Sequence, residues 1–407
     1  VLTATNAVGT SEALSATLVI QPLPTGLVGR YCALLDRSGP FNDYLGGRID
    51  FTINLHGSFS GYLQLGAERL GFSGRLQGLN QEGSRPTGAA TVLKLGSNLL
   101  GVNLSDHLRP VDDQYRWNGS LTIGDEVLPF VSTATANQTA PFRGAYTFAM
   151  ITERGDADES TELPSGKSFG SFTVSAAGLA TGSLKLADGK SVTFSVPVEQ
   201  DGGLSLFQVQ TTQIGIVRRV ARELPRQRFA VSGSLLAHLL IDLERGRRLD
   251  NSSADWYRLP RPVGALDTSY PHGFGPQPLT TRGGPRPVLA SSRTLVQLHF
   301  SHPMLEFAEN HPDVSGNLSS AGTGRFMPNP CGVTLSLSRL TGEFQGAFTL
   351  RQATPARTAR AASYCGILVD EGDSLVGHGF LLINTFPDGT PNRRVSGSVR
   401  LDLSEPR

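Results

Sequence analysis

Gly57-Ser58-Phe59-Ser60-Gly61-Tyr62-Leu63-Gln64-Leu65 alternates apolar and polar residues around two glycines. The pattern, Gly-x-apolar-x-Gly-x-apolar-x-Leu, returns at Gly178-Leu179-Ala180-Thr181-Gly182-Ser183-Leu184-Lys185-Leu186. It returns again at Gly342-Glu343-Phe344-Gln345-Gly346-Ala347-Phe348-Thr349-Leu350. Three copies make an internal repeat, which outranks other local signals. Alternation with period two reads as a strand with one buried face. The first glycine of each copy follows an alternating run, which predicts a hairpin turn needing φ > 0. The residues between the glycines (Ser60, Thr181, Gln345) and before the last Leu (Gln64, Lys185, Thr349) share no chemistry. The motif is therefore a signature of the fold, and function is sought where the copies differ.

Short alternating runs with glycine turns continue on both sides, which predicts an all-β chain of antiparallel barrels or sandwiches built from a repeated meander. Residues 1–20 read as a hairpin and 21–26 as a proline-stiffened linker. The β modules are expected at 27–138, 139–243 and 291–407, the third either standing alone or completing the second as one barrel. Within the second, Ile214–Leu224 reads as strand in preference to a short helix, because Gly215 lies inside it and Pro225 follows. Between the last two modules, 244–290 breaks the rhythm with Pro260, Pro262, Pro271, Pro276, Pro278 and Pro285. Trp256, Tyr257, Tyr270 and Phe274 punctuate it, so it reads as a long ordered connection wrapped over a sheet.

The 407 residues suffice for two to three domains. With 36 basic and 35 acidic residues the net charge is +1, which offers no electrostatic case for nucleic acid or an anionic membrane. Only 17% of residues are charged, while Gly (47) and Pro (25) abound. That balance suits an exported all-β protein. No apolar run approaches the ~20 residues needed to cross a bilayer as a helix. The chain opens on Val1-Leu2-Thr3 without an initiator Met, which reads as a piece of a longer precursor.

Several signals together carry a resemblance. They are the Ala4-Thr5-Asn6-Ala7-Val8-Gly9 turn, the Gly144-Ala145-Tyr146 opening, Leu186-Ala187-Asp188-Gly189, the third motif copy, Tyr364-Cys365-Gly366-Ile367-Leu368-Val369 and Gly377-His378-Gly379-Phe380. The chain resembles the β-rich domain of very large exported bacterial surface proteins that carry immunoglobulin-like repeats. Its first 20 residues resemble the last hairpin of such an immunoglobulin-like domain. The resemblance implies a secreted or cell-surface location and a structural or adhesive role, with other domains of the same polypeptide, surface glycans or surface proteins as partners. It brings no catalytic residues.

Candidate sites are few. Trp256, Tyr257, Tyr270 and Phe274 are either a platform for stacking sugars or rings that pin the connection to the sheet. Asp156, Asp158 and Glu159 offer hard oxygens for calcium, but the spacing is not that of an EF-hand, so a solvated acidic loop competes. Cys331 and Cys365 fall near adjacent strands and are candidates for a disulfide, with buried free thiols as the alternative. His299-x-x-His302 hints at a metal only if the strand bends at Pro303. Gly166-Lys167-Ser168 ends like a phosphate-binding loop, yet Thr161 stands where that loop needs glycine. Adjacent acids such as Asp112-Asp113 and Asp370-Glu371 do not define a facing pair for glycoside hydrolysis. The expectation is a non-catalytic structural or adhesive module without a cofactor. A carbohydrate-binding module is the alternative, and a glycan-active enzyme the third reading.

Overall fold

The computed structural model describes residues 5–6, 9–10, 23, 27–77, 87–90, 93–95, 98–108, 116–137, 139–152, 162–216, 227–289, 294–302, 305, 310–351, 359–372, 374–384 and 393–404. The chain is all-β, with three antiparallel sheets of barrel or half-barrel shape. Among the described residues each is an eight-stranded up-and-down meander whose last strand returns to pair with its first.

The first meander runs through Gly29–Leu35, Gly47–Ile53, Ser58–Leu65, Glu68–Gln77, Thr87–Ala90, Asn98–Leu108, Arg116–Ile123 and Glu126–Ala134. It closes through Thr133↔Cys32 and Ala134↔Tyr31. A short strand, Leu93–Leu95, adds to Asn98–Leu108.

The second uses Gly144–Thr152, Ser168–Val174, Leu179–Lys185, Ser191–Pro197, Gly203–Ile216, Gln227–Leu240, Ser253–Arg258 and Phe274–Pro285. It closes through pairs such as Tyr146↔Pro285. Its ladder is interrupted at one seam, between Ser191–Pro197 and Gly203–Ile216.

The third uses Thr294–Ser301, Val314–Leu318, Gly324–Phe326, Ser336–Leu337, Glu343–Arg351, Ala359–Asp370, Leu375–Asn384 and Arg394–Ser404. It closes on itself through pairs such as Leu298↔Leu401, and the bridge Thr323↔Ser336 spans its weakest seam. The second and third modules are thus two sheets.

The connection at 244–290 is not a wrapped loop. It supplies Ser253–Arg258 and Phe274–Pro285, the last two strands of the second barrel. Its prolines obscured them. Pro276 and Pro278 face outward beyond Thr152↔Leu279, the last described pair on that side, where a missing N–H is tolerated. At the other end of the chain, Thr5–Asn6 pairs with Gly9–Thr10, and the rest of the hairpin expected over 1–20 lies outside the described residues. Leu23 of the linker is buried in the first barrel's core, with its N–H on Leu55 O at 3.2 Å.

The repeated glycines have two separate jobs. Gly57, Gly178 and Gly342 have φ of 75°, 71° and 74°, as the hairpin reading requires. Each carbonyl accepts an amide from a following strand: Leu76, Val198 and Leu368, at 2.7, 2.8 and 2.9 Å. Gly202 and Gly322 build the same turn, accepting Ile241 N at 3.1 Å and Leu337 N at 2.8 Å. Neither has the second glycine four positions on, where Leu206 and Phe326 stand, and Gly324 also replaces the apolar residue after Gly322, so both escape the pattern. Gly322 lies between the second and third strands of its barrel, where Gly57 and Gly178 also lie. Gly342 lies between the fourth and fifth, like Gly202. The motif therefore marks one rim of the barrel and is not tied to a fixed strand.

The second glycine has the inward parity of its neighbours. A Cβ on Gly61, Gly182 or Gly346 would come within 2.0 Å of Asp50 O, 2.3 Å of Ser171 O or 1.9 Å of Thr334 O. The strands cross too closely there for any side chain.

The inward rows fill the barrels. Tyr31 stacks on Phe51 (centroids 5.3 Å) in the first, and Tyr146 on Phe172 (4.8 Å) at the matching place in the second. Phe300 packs on Phe348 at 4.8 Å in the third. Burying a ring of this size contributes up to about 3 kcal/mol.

Candidate functional site

Each motif copy underlies a groove on the outer surface. The grooves measure about 670 Å³ at Gly61, 570 Å³ at Gly182 and 580 Å³ at Gly346. Their linings differ. The groove at Gly182 is walled by hydroxyls such as Ser171, Thr181, Ser183 and Thr193. The groove at Gly346 mixes Thr334, Ser336 and Gln345 with the buried Tyr364 and Phe380.

The groove at Gly61 has an exposed ring. Tyr62 is 56% accessible, with the Arg69 guanidinium 4.4 Å from its centroid. Strand register lays out two outward rows, Arg30–Thr52–Ser60–Ser73 and Cys32–Asp50–Tyr62–Gly71. Asp50 is held by Arg48 through two 2.7 Å bonds and touched by Arg30 at 3.4 Å. Tyr62 was not singled out by sequence because the comparison of copies stopped at other variable positions. The signal was present one residue past the second glycine, where Tyr62 corresponds to Ser183 and Ala347.

The aromatic platform read at 256–274 is displaced by its burial. Trp256, Tyr270 and Phe274 belong to the second barrel's core. Phe274 meets Trp256 edge-on at 4.9 Å and Tyr270 edge-on at 5.7 Å. The Tyr270 hydroxyl reaches Ser396 Oγ at 2.9 Å. Of the four, only Tyr257 is half-buried, and Arg37 lies over its ring at 5.1 Å. Rings so enclosed have no face for a sugar.

Cys331 and Cys365 are free thiols, which corrects the proposed disulfide. Tyr364 points into the third barrel, so Cys365, next along the strand, points out and packs against the second barrel's core. Cys331 faces the third core and donates to Asn310 O at 3.3 Å. Burial pushes the Cys365 thiol up to about 11 and also raises Cys331.

Asp156, Asp158 and Glu159 lie outside the described residues. Among the described residues no cluster of three or more His, Cys, Asp or Glu is arranged to hold a metal. His299 and His302 diverge: His299 contacts Asp313 at 3.2 Å on the surface, while burial pushes His302 down to about 4.

Gly166-Lys167-Ser168-Phe169-Gly170 also spells Gly-x-Ser-x-Gly, but Ser168 is buried at the start of a strand with its Oγ accepting Ala187 N at 3.0 Å. Gly166 has a packing role. A Cβ there would meet Phe380 Cβ at 2.4 Å and Gly397 O at 2.8 Å, where the second and third barrels touch.

Among the described residues, two buried charge networks lie on the second barrel. In one, Arg258 pairs with Asp188, with Asp267 (2.6 Å) and with Ser269 O (2.9 Å), while Lys190 reaches Ser232 (2.8 Å). In the other, Glu199 accepts the Cys32 thiol (3.4 Å) and faces His238 at 3.7 Å. Burial pushes the Cys32 thiol well up, with the Glu199 charge adding to it, so this thiol is not activated as a nucleophile. In both networks every buried acid is engaged by a donor, the arrangement of groups that hold structure.

What these features define is a chain of three repeated antiparallel barrel-like sheets with filled interiors. Compared with known proteins, no family model matches it and no curated protein is significantly similar to it. No helix among the described residues is long and apolar enough to cross a membrane.

Proposed function

We propose that the chain is a non-catalytic structural and adhesive stretch of a large exported, cell-surface protein. The observation that carries this reading is continuity. Three packed barrels are joined by two junctions whose contacts include backbone hydrogen bonds. Gln200 N donates to Ala134 O (2.8 Å) between the first and second barrels, and Lys167 N to Gly379 O (3.1 Å) between the second and third. Such a body transmits position and load along its length while leaving its outer faces for contact. Return of each last strand to the first removes most free strand edges, which protects a protein exposed to crowded surroundings.

Protease shaving of intact source cells tests the reading. Peptides from 27–404 are expected in the shaved fraction, released from its ends as a resistant core. Recovery only after lysis overturns the surface location, and rapid cleavage between the barrels overturns the scaffold role.

A further inference from the structure

The outer face of the first barrel carries a second layer of meaning. Its outward positions on four adjacent strands include Arg30, Arg48, Arg69 and Arg75 but only one acid, Asp50. Four positive charges less one leave +3 on a face of a chain whose net charge is +1. Asp50 is already neutralised by the two-point contact with Arg48, so it does not repel an anion as a lone carboxylate would. On the first four strands of the second barrel the outward positions carry Lys185 and no arginine, so that barrel lacks the arginine face.

Gly71 supplies an independent observation. It stands mid-strand and outward, directly opposite Tyr62. Unlike Gly61, it has no steric reason to be glycine: a Cβ there would meet only Tyr62 Cε1, at 4.0 Å. Its φ is not in the left-handed range. A strand glycine without a backbone reason is destabilising relative to Ala, and close approach by a ligand is one of the settings in which such a glycine is found. Here it keeps the flank of an exposed ring open. Tyr62 likewise does nothing for the fold, since Ser183 and Ala347 serve at the same position.

We propose that this groove binds an acidic glycan through one carboxylated sugar residue. The apolar C–H face of the sugar ring lies along Tyr62 over Gly71. The sugar carboxylate meets the Arg30 guanidinium, and Thr52 and Ser60 offer hydroxyls to ring substituents. A volume of about 670 Å³ lies within the ~300–1,000 Å³ of small-ligand sites. The proposal rests on the surface reading only for access to such glycans. A polyphosphate chain fits less well, because the groove lining holds a single cation, Arg30, which suits one carboxylate better than a run of phosphates.

The test is calorimetric titration of the full chain with polygalacturonate and alginate, with dextran as neutral polymer and oligo-dT as polyphosphate, at fixed salt. Binding to a hexuronate polymer and not to dextran is expected. Tyr62→Ser, Arg30→Gln and Gly71→Val should each weaken it tenfold or more. Gly71→Val should keep or raise the melting temperature, which separates a blocked groove from a damaged barrel. No binding to either hexuronate, equal binding to dextran, tighter binding to oligo-dT, or binding indifferent to all three substitutions overturns the proposal. Any of these leaves the scaffold reading standing, whereas failure of the shaving experiment removes the scaffold reading without altering the titration.

Discussion

The two junctions between barrels are built from different materials. Between the first and second, polar groups dominate. Arg37, held by Tyr44 O and Leu45 O of its own barrel (both 3.0 Å), donates across to Asp255 (3.0 and 3.2 Å) and Ser234 Oγ (2.6 Å). Arg48 reaches Ser205 O, and Arg116 pairs with Asp201 at 3.3 Å. Between the second and third, the apolar core runs through. Ile367, Val369 and Phe380 of the third barrel join the second barrel's core, with Phe380 and Phe169 at 5.7 Å. Shared apolar burial couples the two barrels, because Ile367 and Val369, outward on the third, are buried within the second barrel's core cluster. Directional hydrogen bonds fix orientation instead, and each can be broken separately.

The sharpest way to break that contrast is Phe380→Ala. A cavity at a shared core should cost about 3–5 kcal/mol. Chemical denaturation should show the second and third barrels losing stability together, with the first unchanged; loss confined to the third sinks the shared-core account. Arg258→Met comes next. It leaves Asp188 buried without its cation, which should cost about 3–5 kcal/mol, and restoring much of that loss with Asp188→Asn in the same chain would confirm the cause. Arg37→Ala should cost about 2 kcal/mol, the scale of charge-assisted hydrogen bonds. In calorimetry it should split off a first-barrel transition, and a single unshifted peak would show that Arg37 does not hold the junction.

The smallest effect is in pH, and it has opposite sign at the two junctions. The hydrogen bond to Glu199 raises His238 above its ordinary 6.5, with Asp201 adding and Arg116 opposing. Its contribution is complete below 6.5 and is lost as pH rises through the raised value. Burial lowers His378, against the pull of its 2.8 Å contact with Glu371 and with Lys167 and Arg400 nearby. Its contribution is complete above 6.5 and is lost as pH falls through the lowered value. Glu371, held down to about 2 chiefly by His378, adds loss in the same direction below 4.5. As pH rises from 6.5 through the raised His238 value, exchange of the Gln200 amide should accelerate beyond its intrinsic rise while that of Lys167 should not. As pH falls from 6.5 through the lowered His378 value, the order should reverse.

The turn role of the first motif glycine was readable because a residue with φ > 0 leaves its mark in one short stretch. The role of the second was not, because the carbonyl that excludes its Cβ belongs to another segment of the chain. The extra turns at Gly202 and Gly322 were hidden because the turn geometry repeats there without the second glycine, Leu206 and Phe326 standing in its place. Aromatic content misled at 256–274. Trp and Tyr look alike in sequence whether they line a groove or fill a barrel, and the difference lies in which strand closes over them. Cys331 and Cys365 failed to pair for a related reason: strand parity put them against different cores.

By itself, the sequence determined an all-β chain, a repeated meander, its rim turns and the absence of charge bias, all consequences of period-two patterning and backbone sterics within a few residues. The tertiary structure decided where the last two strands of the second barrel came from, which rings were enclosed, how each junction is held and that Tyr62 stands open beside Gly71. Tyr62 and Gly71 pair within one hairpin, but closure joins segments more than 100 residues apart, as at Tyr146↔Pro285, and which faces are then covered or left open is selected by the packing of the whole chain.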